Sequence, residues 1–256
     1  MDIFHAIILG VVEGLTEFLP VSSTGHLILA GELLKLPETE FLKTFEVVIQ
    51  IGAILVVVSV YWRKLLFDRE IISRIIIALL PALGVGYLFY QTIRQMLGSE
   101  VVVLWALGLG GIAIILIEHY RKEPVAGELQ DLRILPYRTA FLIGLCQALS
   151  VIPGVSRAGA TIMGGLWLGL SRTAIVEFSF LLAVPTMVAA TTLDIVKHGA
   201  SFSSADTVAL LVGTLTSFVV ALLAIRFFLR YVGTHTFVAF GIYRIVAAGA
   251  FFLFIL

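Results

Sequence analysis

Apolar residues fall in long runs broken by short polar turns, and the runs divide into two classes by length. Six of them, at 44–62, 74–91, 101–118, 174–196, 206–229 and 236–256, are long enough to cross a bilayer as helices, which takes about 20 apolar residues. Four others, at 3–19, 24–35, 139–152 and 158–170, are too short. The short runs come in two pairs, and each pair flanks a polar turn containing proline and glycine. Irregular backbone at membrane depth survives only where protein or a wet cavity satisfies it. Each pair therefore predicts a re-entrant helical hairpin with its tip near the middle of the membrane.

Composition supports the same class. The chain is 60% hydrophobic and 13% charged, with a mean hydropathy of +1.08, whereas soluble domains carry about 25% charged residues. Seventeen basic and 17 acidic residues cancel, so no polyanion-binding surface is implied and nucleic acid is not an expected partner. The single cysteine, Cys146, excludes a disulfide framework and a cysteine metal site. No basic leader precedes the first apolar run, so a cleavable signal is not expected. The pattern predicts one membrane domain over 1–256, with a first half at 1–118, a connector at 119–138 and a second half at 139–256.

The two halves resemble each other. Residues 8–27 align without a gap on 142–161, matching Gly10 with Gly144, Leu15 with Leu149, Val21 with Val155, Ser22 with Ser156 and Gly25 with Gly159. A hairpin followed by three long runs in each half predicts an inverted repeat. Loop charge orients it. Arg63, Lys64, Arg69, Arg74, Arg121, Lys122, Arg133, Arg138, Arg226 and Arg230 lie on one side, against Lys35, Lys43, Arg94 and Lys197 on the other. The richer set belongs in the cytoplasm, which leaves both termini outside. The expected architecture is an all-α integral membrane protein of six transmembrane helices plus two re-entrant hairpins that enter from opposite leaflets.

Chemistry concentrates at the hairpin tips. The stretch EGLTEFLPVSSTGH places Glu13 and Glu17 one helical turn apart, followed by Ser22, Ser23, Thr24 and His26. Paired acids on one helix face call for a shared cation, a shared proton or a positive ligand. The glutamates could hold a divalent cation such as Mg²⁺, or one could serve as general base. His26 could activate Ser23, relay a proton or attack directly. The second tip, PGVSRAGAT, carries Arg157 at membrane depth, where arginine normally marks function or a buried partner. With Gly154, Ser156 and free N–H groups at a helix start, it has the makings of a phosphate cradle. A plain ion pair with Glu13 or Glu17 is the competing reading.

These segments, with KTFEVVIQIGAIL between them, resemble the signatures of the undecaprenyl-diphosphatase family, the bacitracin-resistance membrane phosphatases of bacteria. The resemblance runs through essentially the whole chain. One departure is Ala158, where the family usually has serine. The resemblance implies hydrolysis of undecaprenyl diphosphate to undecaprenyl phosphate and inorganic phosphate, which recycles the lipid carrier for peptidoglycan. It implies a catalytic set of Glu13, Glu17, Ser23, His26 and Arg157. It makes Arg157 the phosphate-binding arginine with Ser156 beside it and implies a divalent cation. From the residues themselves, Ser22, Thr24 and Gly154 are further candidate substrate contacts, and Glu13 and Glu17 the candidate ligands for Mg²⁺ or else Ca²⁺. The expected setting is the bacterial cytoplasmic membrane, with the site facing outward, a polyprenyl diphosphate substrate among the membrane lipids, and room for pairing with a second copy. A lipid-phosphate transporter using the same tips is the alternative.

Overall fold

The computed structural model describes residues 1–96, 99–121, 129–198 and 204–255, and among them the only non-helical pairing is an isolated bridge between Leu129 and Leu170. In chain order the α-helices are α1 (Ile3–Thr16), α2 (Ser23–Leu33), α3 (Glu40–Val48), α4 (Gln50–Phe67), α5 (Arg69–Leu88), α6 (Tyr90–Met96), α7 (Glu100–Tyr120), α8 (Tyr137–Ala148), α9 (Arg157–Trp167), α10 (Arg172–His198), α11 (Ser204–Val232) and α12 (Val238–Ile255).

Five segments among the described residues are long and apolar enough to cross a membrane: Glu40–Phe67, Arg69–Leu88, Glu100–Tyr120, Arg172–Lys197 and Asp206–Val232. The expected sixth, at 236–256, forms α12 after a turn that takes its first two residues, and its described apolar part, Val238–Leu253, is shorter than these five. The run at 44–62 is joined at its start by α3, so that crossing begins at Glu40.

Each short pair forms two helices joined by a turn. Asp2 caps α1 by accepting from the N–H of His5 at 2.9 Å. Pro20 has no N–H and cannot continue a helix, so the chain turns and restarts at Ser23. In the second pair, α8 passes through a 3₁₀ turn at Leu149–Val151, and Pro153-Gly154 leads to α9. Ser22 (φ 74°) and Ser156 (φ 72°) share an unusual left-handed backbone. Each caps the following helix, accepting from Gly25 N–H at 3.2 Å and Gly159 N–H at 3.0 Å.

Small residues let the helices meet at backbone distance, the usual device where lipid removes any hydrophobic drive between helices. A Cβ on Gly10 of α1 would lie 2.6 Å from the carbonyl oxygen of Gly213 in α11, and one on Gly144 of α8 would collide with that of Ala78 in α5. Gly111 of α7 and Gly241 of α12 approach each other's carbonyls in the same way. The core between the halves is aromatic. Phe18 from the first tip meets Phe180 of α10 edge-on at 5.0 Å, and Phe228 of α11 joins them.

The basic loops lie together. Arg133 of the connector donates to Asp68 at the α4–α5 turn at 2.8 Å, and Arg121 donates to the carbonyl of Leu170 between α9 and α10 at 3.1 Å.

Candidate active site

Glu17 follows the last residue of α1 and is held by its N–H bond to the carbonyl of Glu13 at 2.9 Å. Its carboxylate sits between two donors from different parts of the chain. Ser23 Oγ, at the start of α2, donates to Oε2 at 2.6 Å, and Arg157 Nη2, at the start of α9, donates to Oε1 at 2.8 Å. The other arm of Arg157 donates to the carbonyl of Ser179 at 2.7 Å and to its hydroxyl at 3.2 Å, while Thr161 and Ser179 share a hydroxyl contact at 2.7 Å. Arg157 and Glu17 are buried, yet both reach the wall of a cavity of about 520 Å³. Ser22, Ser23, Thr24, Gly154 and Ser156 line the same cavity. Arg157 Nε is buried without a partner, so the guanidinium keeps a donor to spare.

Glu13 lies one turn before Glu17 and is fully buried, and no donor among the described residues meets either of its oxygens. Two carboxyl groups in this relation need a proton or a cation between them. Among the described residues no group of three or more His, Cys, Asp or Glu comes together as a metal site. The pair still fits a hard divalent ion of the Mg²⁺ type, which takes one or two carboxylates and fills its remaining positions with water and substrate phosphate. Glu13 has both oxygens free for that purpose, whereas both of Glu17's are engaged.

His26 sits apart from the cavity wall. Its Nδ1 lies 2.8 Å from the carbonyl of Ser22, and its Nε2 lies 2.7 Å from the Tyr243 hydroxyl, with the two rings stacked at 5.6 Å. A carbonyl only accepts, so Nδ1 carries a hydrogen, and in the neutral ring Nε2 accepts from Tyr243. The imidazole thus touches the hairpin backbone at Ser22, next to the Ser23 that bonds Glu17.

Arg244 escaped the sequence reading. It is fully buried in α12 and donates to five carbonyl oxygens: Leu107 (3.2 Å) and Ala106 (2.9 Å) of α7, Pro20 (3.1 Å) of the first tip, and Gly154 (2.8 Å) and Val155 (3.1 Å) of the second. Its signal was the one that singled out Arg157, a lone arginine in an apolar run. The glycines at 108, 110 and 111 were a second hint, because a Cβ on Gly110 would occupy the space of the guanidinium. Gly154 (φ 93°) is a glycine for a related reason, since its Cβ would lie 2.7 Å from the carbonyl of Val103. Ser179, Gln147 and Tyr243 were also missed, being single polar residues whose relevance depends on what folds against them.

The cavity extends away from the basic loops. Its α10 lining runs from Thr186 to Asp194, in the half of the helix remote from Arg172. Donors for anionic oxygen thus sit at the inner end of a largely apolar chamber, beside a hydroxyl already bonded to a carboxylate. That constellation can bind a phosphate group and deliver an oxygen nucleophile to it.

Residues 6–250 match the family model described as bacitracin resistance protein BacA. Curated relatives named undecaprenyl-diphosphatase include those of Aquifex aeolicus (47% identical, covering 99% of this chain and all of the relative) and Persephonella marina (49% identical, covering all of both). That of Campylobacter hominis is 48% identical, again over the whole of both chains.

Proposed function

Because the chain belongs to the bacitracin resistance protein BacA family, we propose that it is a membrane phosphatase that hydrolyses undecaprenyl diphosphate to undecaprenyl phosphate and inorganic phosphate. The observation that carries this reading is the triad in which Ser23 and Arg157, from opposite halves, meet on the Glu17 carboxylate at the cavity wall.

In this reading Arg157 binds the terminal phosphate through its spare Nε and, once substrate enters, through the arm now on Glu17. Ser22, Thr24, Ser156 and the backbone around Gly154 supply neutral donors. Ser23 is the nucleophile. Its proton passes to Glu17 at the 2.6 Å contact as Oγ bonds to the terminal phosphorus. The phosphorus–oxygen bond to undecaprenyl phosphate then breaks, and water later hydrolyses the phosphoserine to phosphate. Arg157 neutralises charge on the transferring group, the largest contribution expected in such a step. His26, held by Ser22 and Tyr243, sets the geometry of the Ser22-Ser23 turn. Glu13, together with Glu17, would hold a divalent cation, Mg²⁺ or Ca²⁺, whose bound charge helps to neutralise the diphosphate.

The setting follows the same line. The halves 1–118 and 139–256, joined by the connector, form an inverted repeat in a single membrane domain. Support comes from the shared backbone of Ser22 and Ser156, from Gly10 and Gly144 each seating a first hairpin arm on a long helix of the other half, and from the reciprocal contact of Gly111 with Gly241. The basic loops face the cytoplasm, both termini lie outside, and the cavity faces the outer side of the bacterial cytoplasmic membrane. Self-pairing into a dimer is compatible with this arrangement.

The test is phosphate release from undecaprenyl diphosphate by purified protein in detergent, with Ser23→Ala, Glu17→Gln and Arg157→Ala beside the wild type and each variant checked for folding. Release by the wild type and its loss in folded variants supports the reading. Undiminished release by folded Ser23→Ala removes serine as nucleophile, and no release by the wild type overturns the function.

A further inference from the structure

The mechanism uses only the inner end of the cavity. Of the rest, the part between α5 and α10 is largely apolar, with Ala82, Leu83 and Gly86 on one side and Met187, Ala190 and Leu193 on the other. Gln50, Gln147, Thr186, Tyr90 and Asp194 add polar groups elsewhere on the lining. Two observations define its shape. Leu83 and Tyr87 of α5 line the cavity and are 38% and 75% exposed, and Gly84 beside them is exposed, so this edge of the chamber lies at the protein surface. A Cβ on Gly86 would meet nothing within 4 Å, so the helix surface there borders empty space and not packed protein.

The outer end is polar and poorly matched to an alkyl chain. Tyr90 donates to the buried Asp194 at 3.2 Å, and the ammonium of Lys197 sits 3.5 Å from the centre of the Tyr90 ring. A hydrocarbon passing there would strip polar partners from a buried carboxylate, at a cost that no apolar contact offsets. A cavity of about 520 Å³ suits a drug-sized ligand, far less than a long polyprenyl chain, so most of that chain must leave through the open side. The buried, unpartnered Nε of Arg157 lies at the inner end and marks where the headgroup stops.

We propose that the groove between α5 and α10, with Gly86 as its open floor, seats the first isoprene units of the substrate and lets the remaining chain pass sideways into the bilayer. This rests on the phosphatase reading. Gly86 is then a specificity-determining position, where a large side chain would displace the prenyl group. Gly84, two residues earlier, is exposed, also meets nothing within 4 Å, and does not line the cavity. It supplies a matched control on the same helix.

Two measurements on the full chain test the proposal. In a Cys146→Ala background, Gly86→Cys and Gly84→Cys are labelled with an apolar maleimide, with and without undecaprenyl phosphate or inorganic phosphate. Undecaprenyl phosphate should slow labelling at 86 several-fold and leave 84 unchanged, while inorganic phosphate protects neither. Separately, Gly86→Leu should raise KM for undecaprenyl diphosphate about tenfold, the scale of a misfit in an apolar pocket, with kcat little changed, whereas Gly84→Leu should alter neither. Equal labelling with and without the lipid, equal protection by inorganic phosphate, or an unchanged KM in Gly86→Leu overturns the groove as the chain seat. A wild type that releases phosphate while position 86 stays unprotected leaves the phosphatase reading standing and removes only the groove. Absence of release in the wild type removes both.

Discussion

Arg244 donates to the carbonyl of Pro20 at 3.1 Å across 224 residues of chain, and its remaining donors reach the second tip and α7. One planar guanidinium therefore sets the spacing of the two hairpin tips, and through it the meeting of Glu17 with Arg157. Lysine has a single nitrogen and cannot span the same set of acceptors. Arg244→Lys should fold yet lose most phosphate release. Arg244→Leu leaves several carbonyls short of donors, at about 1–3 kcal/mol for each one left buried and unsatisfied, and should lower the unfolding temperature markedly. Thermal unfolding in detergent read beside activity separates the two outcomes.

Arg157 bridges Glu17 and Ser179 with two arms. Arg157→Lys preserves the charge and loses the fork, and kcat should fall by about 10²–10³, the usual loss when one transition-state donor is removed. Glu17→Gln should lower kcat by about 10²–10⁴, as expected when a proton acceptor is neutralised. Steady-state kinetics on folded variants checks both.

Tyr243→Phe keeps the ring that stacks on His26 and removes only the hydroxyl at 2.7 Å. One net hydrogen bond is worth about 1 kcal/mol, or about fivefold in rate if it acts wholly on the reaction barrier. Turnover should fall by that order with the unfolding temperature nearly unchanged, and His26→Ala should cost more.

Gly144→Ala drives a methyl into the backbone carbonyl of Ala78. Backbone cannot swing aside, so the α5–α8 crossing must open, at about 1–3 kcal/mol. Gly249→Ala, in open space, should be neutral or slightly stabilising, because alanine is the better helix former by about 1 kcal/mol. Chemical or thermal denaturation of the two variants side by side is the check.

Outside the spans, the hydrogen bond from Arg133 holds the Asp68 carboxyl below the usual carboxylate range. A carboxyl lowered in the folded state contributes stability at neutral pH and loses it as pH falls through the lowered value. Asp68→Asn should therefore flatten the acid limb of the stability profile, modestly, since the Arg133 side of the pair is exposed to water. Unfolding temperature against pH reads this directly.

The hairpins were readable from the sequence because proline, glycine and run length are local facts. Pro20 and Pro153-Gly154 end their helices whatever surrounds them, and runs of this hydropathy have nowhere to lie but lipid. The alignment of Ser22 with Ser156 likewise anticipated two caps of one conformation. Hydropathy counts residues without locating a turn, and the start of the last run, before Val238, belongs to one.

Pattern and composition alone account for the membrane class, the two helix–turn–helix pairs, and the presence of acids and an arginine at their turns, because each depends on neighbours in the chain or on the solvent. Which acid meets the arginine, that Ser23 shares it, that His26 turns to Tyr243, and that Arg244 holds both tips all depend on helices crossing at glycines far apart in sequence. Contacts of that kind are chosen by three-dimensional packing, and no local rule could have named them.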